Sequence, residues 1–216
     1  MKSVLVIGMS RFGFILAKEM VALGNEVMVV DINEKVINDV ASYFSDAQIA
    51  DCCNEVVLKS FGIENFDICF VTIGDNFQSS LEITNLLKEL GAKKVISLAK
   101  SSTQKKFLEK LGADDVVYLE QDYAESLALR CSKKNIFDVI ELTDEYSIFE
   151  TPIHPSWAGK SIKDLDIRVK FKVNILAVKE GDDLIPSPGA TYVFKETDHV
   201  VVLGTEEDVF NLTSKM

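Results

Sequence analysis

Short apolar runs alternate with amphipathic stretches at the start of the chain. The run Val4–Ile7 is short and rich in β-branched side chains, which is typical of a strand buried on both faces. An amphipathic stretch, Phe14–Leu23, follows it, and a second apolar run, Val27–Val30, comes next. This pattern predicts a strand, a helix and a second strand in that order.

The same alternation continues to residue 118. It predicts four further strands, at Ala47–Asp51, Asp67–Thr72, Val95–Ala99 and Asp114–Tyr118. Between them it predicts four helices, at Glu34–Phe44, near Glu55, at Phe77–Leu90 and at Thr103–Leu111, the first with Asn33 as its N-cap. Strands that alternate with helices in this way form right-handed βαβ units on a parallel sheet. We therefore predict an α/β, Rossmann-like domain over residues 1–120.

The pattern changes from Asp122 onward. Residues Tyr123–Lys133 predict one more helix, and two interpretations of it stay open: an arm that packs on another subunit, or a helix of the chain's own core. We assign residues 121–140 to this crossover helix and linker.

The last part of the chain is rich in β-forming residues and is punctuated by proline and glycine. One short helical stretch is predicted at Asp164–Arg168. Four strands are predicted at Tyr146–Glu150, Val173–Val178, Tyr192–Phe194 and Val200–Leu203. Residues 141–216 are therefore expected to form a second, smaller α+β domain.

A glycine-containing turn, Gly8-Met9-Ser10-Arg11-Phe12-Gly13, joins the first strand to the first helix. In the phosphate-binding pattern G-x-G-x-x-G, the first glycine allows a tight turn and the last lets helix and strand approach. Ser10 occupies the place of the middle glycine, and its hydroxyl can donate to a phosphate oxygen. The N-terminus of the following helix presents free N–H groups to the same phosphate.

Acidic residues and a further glycine stand at the predicted carboxyl ends of the strands. Asp31 ends the second strand, 23 residues after Gly8, where a carboxylate can accept hydrogen bonds from ribose. Asp51 ends the third strand, either on the adenine side of a cleft or as a cap of the helix near Glu55. Gly74 follows the fourth strand, and ligands of such sheets bind at these ends. The sequence therefore predicts a nucleotide site, and the alternative is a glycine turn that only packs the domain.

Charge and hydropathy exclude two other classes of protein. The 216 residues carry 23 basic and 34 acidic side chains, a net charge of −11, which disfavours nucleic-acid binding because no basic stripe is present to replace counterions. No apolar run approaches the roughly 20 residues that a membrane-spanning helix needs. Met1-Lys2-Ser3 leads directly into the first strand, so we expect no signal peptide and a cytoplasmic protein.

The four cysteines and two histidines show no metal-binding pattern. No C-x-x-C pair occurs, and neither histidine lies near a cysteine in the sequence, so a zinc site is not expected. Cys69 lies inside an apolar run and is interpreted as a buried small hydrophobe. Cys52 and Cys53 are adjacent, and they are either ordinary reduced thiols or a redox pair.

Several segments resemble the regulatory subunits of bacterial Ktr and Trk potassium-uptake systems, which contain domains that regulate potassium conductance. V-I-G-M-S-R-F-G at 6–13 is similar to the family's V-I-G-x-G-R-F-G, and G-K-S-I-K-D-L-D-I-R-V-K at 159–170 resembles the start of its C-terminal module. Further similar segments lie at 29–36, 107–114 and 142–148. The length resembles the short Ktr type, with one N-domain and one C-domain.

The resemblance implies a regulator without enzymatic activity. Family members form a cytoplasmic ring, usually an octamer assembled from homodimers, on the inner face of the membrane under a potassium transporter subunit of the KtrB or TrkH type. ATP or ADP, or alternatively NAD or NADH, binds in the N-domains and sets the shape of the ring. In the Ktr type the arginine of R-F-G, here Arg11, reaches the terminal phosphate. The implied nucleotide-binding residues are Gly8, Ser10, Arg11, Phe12, Gly13, Asp31, Asn33, Lys35, Asp51, Cys52, Ile73, Gly74 and Lys100.

Two further sites are implied by the resemblance alone. Glu120, after the sixth strand, corresponds to a carboxylate that bridges a divalent cation. The C-domains of many members bind cyclic di-AMP at their dimer interface, and Lys172 stands where a glycine is common near that site. The residues that match the cyclic di-AMP site are Ile162, Ile167, Arg168, Asn174 and Pro188.

Two rival functions are weighed against this one. A Rossmann oxidoreductase that uses NAD would need an acid–base group near the nicotinamide, but His154 and His199 lie far along the chain and no Tyr-x-x-x-Lys occurs. A nucleotide-sensing transcription factor would need a basic helix-turn-helix, which the sequence lacks.

Overall fold

The chain divides into two compact units, Met1–Gln121 and Asp122–Met216. In the computed structural model, the residues described are 1–132, 138–143 and 145–213. Lys133, the expected end of the crossover helix, and the 133–137 part of the expected linker lie outside these residues. Within them, no helix is long and apolar enough to cross a membrane.

The first unit is a six-stranded parallel sheet with helices on both faces, as predicted. The strand order is β3-β2-β1-β4-β5-β6, so β1 lies centrally and the chain changes direction between β1 and β4. The strands are β1 Ser3–Ile7, β2 Glu26–Asp31, β3 Asp46–Ile49, β4 Ile68–Val71, β5 Val95–Leu98 and β6 Asp115–Val117. The helices are α1 Arg11–Ala22, α2 Glu34–Val40, α3 Glu55–Phe61, α4 Phe77–Glu89, α5 Ser102–Lys110 and α6 Leu119–Ser132, the last running past residue 121.

Burial of β1 on both faces explains its continuous apolar sequence. Leu5 and Ile7 pack into the cluster on one face of the sheet, whereas Val4 and Val6 pack into the cluster on the other. Successive side chains of a strand point to opposite faces, and each face here is covered by helices. The glycine turn that follows β1 is therefore attached to a strand in which Val4–Ile7 are all buried.

Short polar side chains set where the helices begin. Ser10 accepts a hydrogen bond from the amide of Gly13, so α1 begins at Arg11, and the prediction of a start at Phe14 is wrong by three residues. Asn33 caps α2, as predicted, but that helix ends at Val40 and continues only as a short 3₁₀ turn. The other caps are Asn54, Asn76 and Ser101.

Two predictions about element ends need correction. Asp51 does not end the third strand, which stops at Ile49, nor does it cap α3, because Asn54 does so. Asp51 instead accepts from the amide of Cys53 at 2.9 Å and fixes a turn. The crossover helix begins at Leu119 rather than at Tyr123.

The second unit contains a five-stranded antiparallel sheet in the order β10-β9-β11-β8-β7. Its strands are β7 Asp138–Glu141, β8 Tyr146–Pro152, β9 Asn174–Glu180, β10 Asp183–Pro186 and β11 His199–Thr205, and its helices are α7 Ile162–Leu165, α8 Ile167–Phe171 and α9 Glu206–Thr213. The predicted strand at Tyr192–Phe194 is wrong, because Val193 forms only an isolated bridge with Ser161. The strands β7 and β10 and helix α9 were not predicted.

The predicted helical stretch at 164–168 is two one-turn helices with a break between them. Asp166 separates α7 from α8 and has a left-handed backbone, with φ of 48°. Lys172 ends α8 in the same conformation, with φ of 57°. The helices pack on a core that contains Phe149, Trp157 and Phe194.

A charged cluster lies on the half-buried part of the second sheet. Glu150 on β8 accepts from the ammonium of Lys179 on β9 at 3.1 Å and contacts Nδ1 of His199 on β11 at 3.0 Å. Burial acts to raise the pKa of Glu150, but the hydrogen bonds from His199 and Lys179 outweigh it and hold that pKa below its usual value. The cluster therefore favours an ionised Glu150.

Candidate functional site

A cavity of about 450 Å³ opens at the carboxyl ends of β1, β2 and β4. This is the edge of the sheet at which parallel α/β domains bind ligands. Eight of the predicted nucleotide-binding residues line it: Gly8, Ser10, Asp31, Asn33, Asp51, Cys52, Ile73 and Gly74. The described residues that line the cavity include neither histidine.

The backbone at Gly8 requires glycine. Its φ is 95°, a conformation that residues with a Cβ rarely adopt, and its amide donates to the carbonyl of Val30 at 2.7 Å. A Cβ at this position would lie 2.8 Å from Cγ1 of Ile73. The turn therefore follows β1 closely and leaves its concave side open to the cavity.

Gly13 allows α1 to pack directly against the glycine turn. A Cβ there would overlap the carbonyl oxygen of Gly8 and the hydroxyl oxygen of Thr72. That hydroxyl is buried and donates to the same carbonyl of Gly8. Gly13 does not line the cavity, and its role is to bring the N-terminus of α1 up to it.

Ser10 fits the place of the missing glycine without strain. Its φ is −60°, which any residue adopts, so the chain needs no glycine there. Its oxygen accepts from the amide of Gly13 at 3.2 Å, and its hydroxyl hydrogen remains able to donate. The amides of Arg11 and Phe12 follow as the first of α1, and the first amides of a helix have no partner within it.

Asp31 ties the glycine turn to the loop after β2. One carboxylate oxygen accepts from the amide of Met9 at 2.7 Å, and the other accepts from the amide of Asn33 at 2.8 Å. Each oxygen has a second lone pair, so the carboxylate can also accept from ligand hydroxyls. Lys35 donates its amide to the Asn33 cap and does not line the cavity.

Lys100 lies beside the cavity rather than in its lining. Its ammonium contacts Oδ1 of Asp75 at 2.8 Å, and this hydrogen bond holds the pKa of Asp75 below its usual value. The side chain crosses Gly74, where a Cβ would lie 2.8 Å from the ammonium nitrogen. Arg11, which is exposed on the first turn of α1, also lies outside the lining, as does the half-buried Phe12.

The adjacent thiols in the lining are free and poorly suited to redox chemistry. Burial, followed by the charge of Asp51, raises the pKa of Cys52 to about 12, and burial also raises the pKa of Cys53. A reactive cysteine has a lowered pKa, because the thiolate is the nucleophile. Cys69 is fully buried, as predicted, and burial raises its pKa to about 12.

Sequence reasoning missed part of the lining. The additional polar or sulfur-bearing residues are Met9, Cys53, Thr72, Asp75, Asn76 and Ser79. Asn76 and Ser79 belong to the start of α4, where Asn76 is the N-cap and accepts from the amide of Ser79 at 3.1 Å. The signal that could have found them is the G-D-N sequence between an apolar strand and a helix, at the same sheet edge as Gly8.

A second cavity, of about 350 Å³, lies in the second unit. Its lining includes all five residues matched to the cyclic di-AMP site, which are Ile162, Ile167, Arg168, Asn174 and Pro188. Lys163, Asp166 and Ala190 are among the other residues that line it. Lys172 adopts the left-handed conformation that a glycine would take, so the turn between α8 and β9 forms without one.

Glu120 follows β6, as expected, and is exposed in the first turn of α6. The part of the chain that the structure describes holds no group of three or more histidine, cysteine or acidic side chains that could bind a metal ion.

Comparison with known proteins identifies the two units. Residues 4–119 match the TrkA-N domain, and residues 147–215 match the TrkA-C domain. The Ktr system potassium uptake proteins C and A of Bacillus subtilis (strain 168) are each 40% identical over 208 residues, covering 96% of this chain and 94% of the relative. A structure of the GsuK channel aligns with a TM-score of 0.70 and 19% identity, over 96% of this chain and 38% of that chain. Another structure of GsuK, bound to NAD, aligns equally well.

Proposed function

Since the chain belongs to the family of Ktr regulatory subunits built from a TrkA-N and a TrkA-C domain, we propose that it senses an adenine nucleotide and thereby gates a membrane potassium transporter. It acts from the cytoplasmic face, as a homo-oligomeric ring and without catalytic activity. The nucleotide occupies the first cavity, with its phosphates at the N-terminus of α1 and its ribose at Asp31.

The observation that carries this proposal is the convergence of Gly8, Ser10 and Asp31 on one cavity. The glycine turn after β1 brings backbone amides to the cavity. The carboxylate of Asp31 lies at the end of β2 and accepts a hydrogen bond from the amide of Met9. Phosphate needs the amides and ribose needs the acceptor, so a nucleotide satisfies both ends of the site at once.

The test is calorimetric titration of the full chain with ATP, ADP and NADH. Asp31→Asn keeps one carbonyl oxygen, which can serve one of the two loop amides, and removes the charge that ribose hydroxyls would meet. Loss of a hydrogen bond to a charged group costs about 1.5–3 kcal/mol, so binding should weaken at least tenfold. Asp46→Asn, on β3 and outside the cavity lining, is the matched control and should bind as the wild type does. Unchanged affinity of Asp31→Asn for all three nucleotides would refute the ribose assignment.

Arg11 is proposed as the group that distinguishes ATP from ADP. The two nucleotides share base, ribose and two phosphates, so only a cation that reaches the γ-phosphate can favour one of them. Arg11 is exposed on the first turn of α1, beside Ser10, and a guanidinium forms bidentate bonds to phosphate. Glu120 would hold the same phosphate through a divalent cation, from another subunit of the ring.

Arg11→Ala should keep ADP affinity within about threefold and lose most of the preference for ATP, since a coupling of this kind is worth about 1–3 kcal/mol. Lys18→Ala, on the same helix, is the control, because the Lys18 ammonium lies over the rings of Phe14 and Tyr43 instead. Affinities and potassium uptake through the partner transporter would be measured together. A variant that still prefers ATP and still activates uptake would show that another group senses the γ-phosphate.

The second cavity is proposed to bind cyclic di-AMP. Its lining combines apolar Ile162 and Ile167, which can flank bases, with the guanidinium of Arg168, which can meet phosphate. A two-fold symmetric ligand suits a site formed by two copies of the same surface. Arg168→Ala should abolish the thermal shift that cyclic di-AMP causes, whereas Lys170→Ala, on the same helix but outside the lining, should keep it. Absence of any shift in the wild type would refute this ligand.

A further inference from the structure

One wall of the second cavity is a loop segment, residues 188–192, between β10 and β11. Pro188 and Ala190 belong to the lining, and the segment is attached to the start of α7 by backbone hydrogen bonds. The amide of Lys163 donates to Ala190 at 2.9 Å, and the amide of Ile162 donates to Tyr192 at 3.1 Å. Both donors also line the cavity, so the two sides of the site meet along this pair of bonds.

A buried carboxylate holds the far end of this wall. Asp198 has no exposed surface, and one of its oxygens accepts from the hydroxyl of Tyr192 at 2.8 Å and from the amide of Lys195 at 2.9 Å. Its backbone carbonyl accepts from the amide of Ile153 at 3.0 Å, just after β8. Asp198 therefore connects the wall segment to the sheet.

The other oxygen of Asp198 is buried and has no hydrogen-bond partner among the residues described. A buried acceptor without a partner costs free energy, and an apolar residue in this place would avoid that cost. The two bonds made by its paired oxygen are the interactions that compensate, and one of them is to Tyr192. Burial, followed by the hydrogen bond to Asp198, raises the pKa of Tyr192 to about 12.

We infer that Tyr192 and Asp198 are positioning residues for the second cavity: their hydrogen bond holds the 188–192 wall against Ile162 and Lys163 at the separation that a bound ligand requires. The inference rests on the proposed ligand cyclic di-AMP for its binding readout. The placement of the wall itself can be measured without any ligand.

Tyr192→Phe is the decisive variant. It keeps the ring, and with it the edge-to-face contact with Phe194 at 5.6 Å between centroids, but it removes the hydroxyl. We expect cyclic di-AMP affinity to fall at least fivefold in the full chain. We also expect the amides of Ile162 and Lys163 to exchange with solvent at least fivefold faster, because the wall carbonyls they bond would be less firmly placed.

Two further variants make the result specific. Tyr146→Phe removes a hydroxyl from the opposite end of the same sheet, where Tyr146 pairs with Thr205, and should leave both readouts unchanged. Asp198→Asn keeps an oxygen that can accept from Tyr192, so it should retain cyclic di-AMP affinity within about threefold of wild type. If Tyr192→Phe acted only by destabilising the core, keeping this acceptor would not preserve the affinity.

Wild-type affinity, or wild-type exchange at Ile162 and Lys163, in Tyr192→Phe would overturn the inference. So would a loss in Asp198→Asn as large as that in Tyr192→Phe. If the wild type does not bind cyclic di-AMP, the proposed ligand is refuted, and amide exchange alone then decides whether Tyr192 and Asp198 position the wall.

Discussion

Replacing Gly13 by alanine tests whether close contact between α1 and the glycine turn supports the first unit. The added Cβ would lie 3.2 Å from Cβ of Thr72. It would overlap the carbonyl oxygen of Gly8 and the hydroxyl oxygen of Thr72, at distances well below the 3.0 Å under which real Cβ contacts essentially never occur. Gly13 has no positive φ, so the substitution adds a clash without backbone strain. Because the added Cβ meets both oxygens of the bond between Thr72 and Gly8, we expect helix α1 to be pushed away from β1 and that bond to be lost as well.

The magnitude follows from three contributions. Overpacking of a tight interior site costs about 1–3 kcal/mol. Loss of the buried bond from Thr72 to Gly8 costs about 1–3 kcal/mol more. Alanine in place of glycine within a helix returns about 1 kcal/mol. We therefore expect a net destabilisation of about 3 kcal/mol, which corresponds to a fall of about 10 °C in Tm for a domain of this size.

Urea unfolding followed by circular dichroism would measure this loss. Two glycine-to-alanine controls separate the causes: Gly24 has a φ of 80° and open space, so its alanine variant reports strain alone, and Gly189 has open space without a positive φ, so its variant should be neutral. ATP titration would show whether the displaced helix also weakens binding. An unfolding free energy for Gly13→Ala within 0.5 kcal/mol of wild type (roughly the scatter of a surface substitution) would refute the packing argument.

Three more predictions concern stability and thiol chemistry. Lys172→Gly should stabilise the second unit by about 0.5–1 kcal/mol in urea unfolding, because glycine adopts a φ of 57° without steric cost, whereas Lys170→Gly within α8 should destabilise it. The pKa of Glu150 is lowered on folding, so its contribution to stability is present at neutral pH and is lost as pH falls through the folded pKa. Between pH 5 and pH 3 the wild type should therefore lose more stability than Glu150→Gln, and equal losses would contradict this. Mass spectrometry should find that N-ethylmaleimide modifies exposed Cys131 well before Cys53, whose pKa burial raises; equal rates would refute the protection.

The sequence was sufficient for the order of elements in the first unit because each signal there is local. A strand buried on both faces has a continuous run of apolar residues in the sequence, and Val4–Ile7 is such a run. The position of Asp31 at the end of β2 follows in the same way from the apolar run Val27–Val30 that precedes it. The start of α1 is harder to predict, because Ser10 lies inside a phosphate-binding pattern and also caps the helix through its bond from Gly13.

The second unit was harder because its backbone pairs with segments distant in sequence. Tyr192–Phe194 is aromatic and β-branched, as strands are, yet the carbonyls of Tyr192 and Phe194 and the amide of Phe194 bond to residues 159–162 rather than to the sheet. Strand β10 is only four residues long, is mostly exposed and ends on a proline, so it carries no alternation of apolar and polar residues. Helix α9 does carry a local signal, Thr205-Glu206-Glu207-Asp208, which has the spacing of a capping box, and in the structure the Thr205 hydroxyl accepts from the amide of Asp208.

The two departures from the family's glycine pattern, Ser10 and Lys172, have opposite consequences, and the backbone decides which. Ser10 has a φ of −60°, so a side chain costs nothing there and adds a helix cap. Lys172 has a φ of 57°, so the chain keeps the turn beside the second cavity only by holding a lysine in a conformation that glycine would adopt freely. The absence of a family glycine therefore argues against a site only where the backbone at that position has a positive φ. By that criterion the first cavity keeps the glycine it needs, Gly8, and the second cavity retains its turn at a cost in stability.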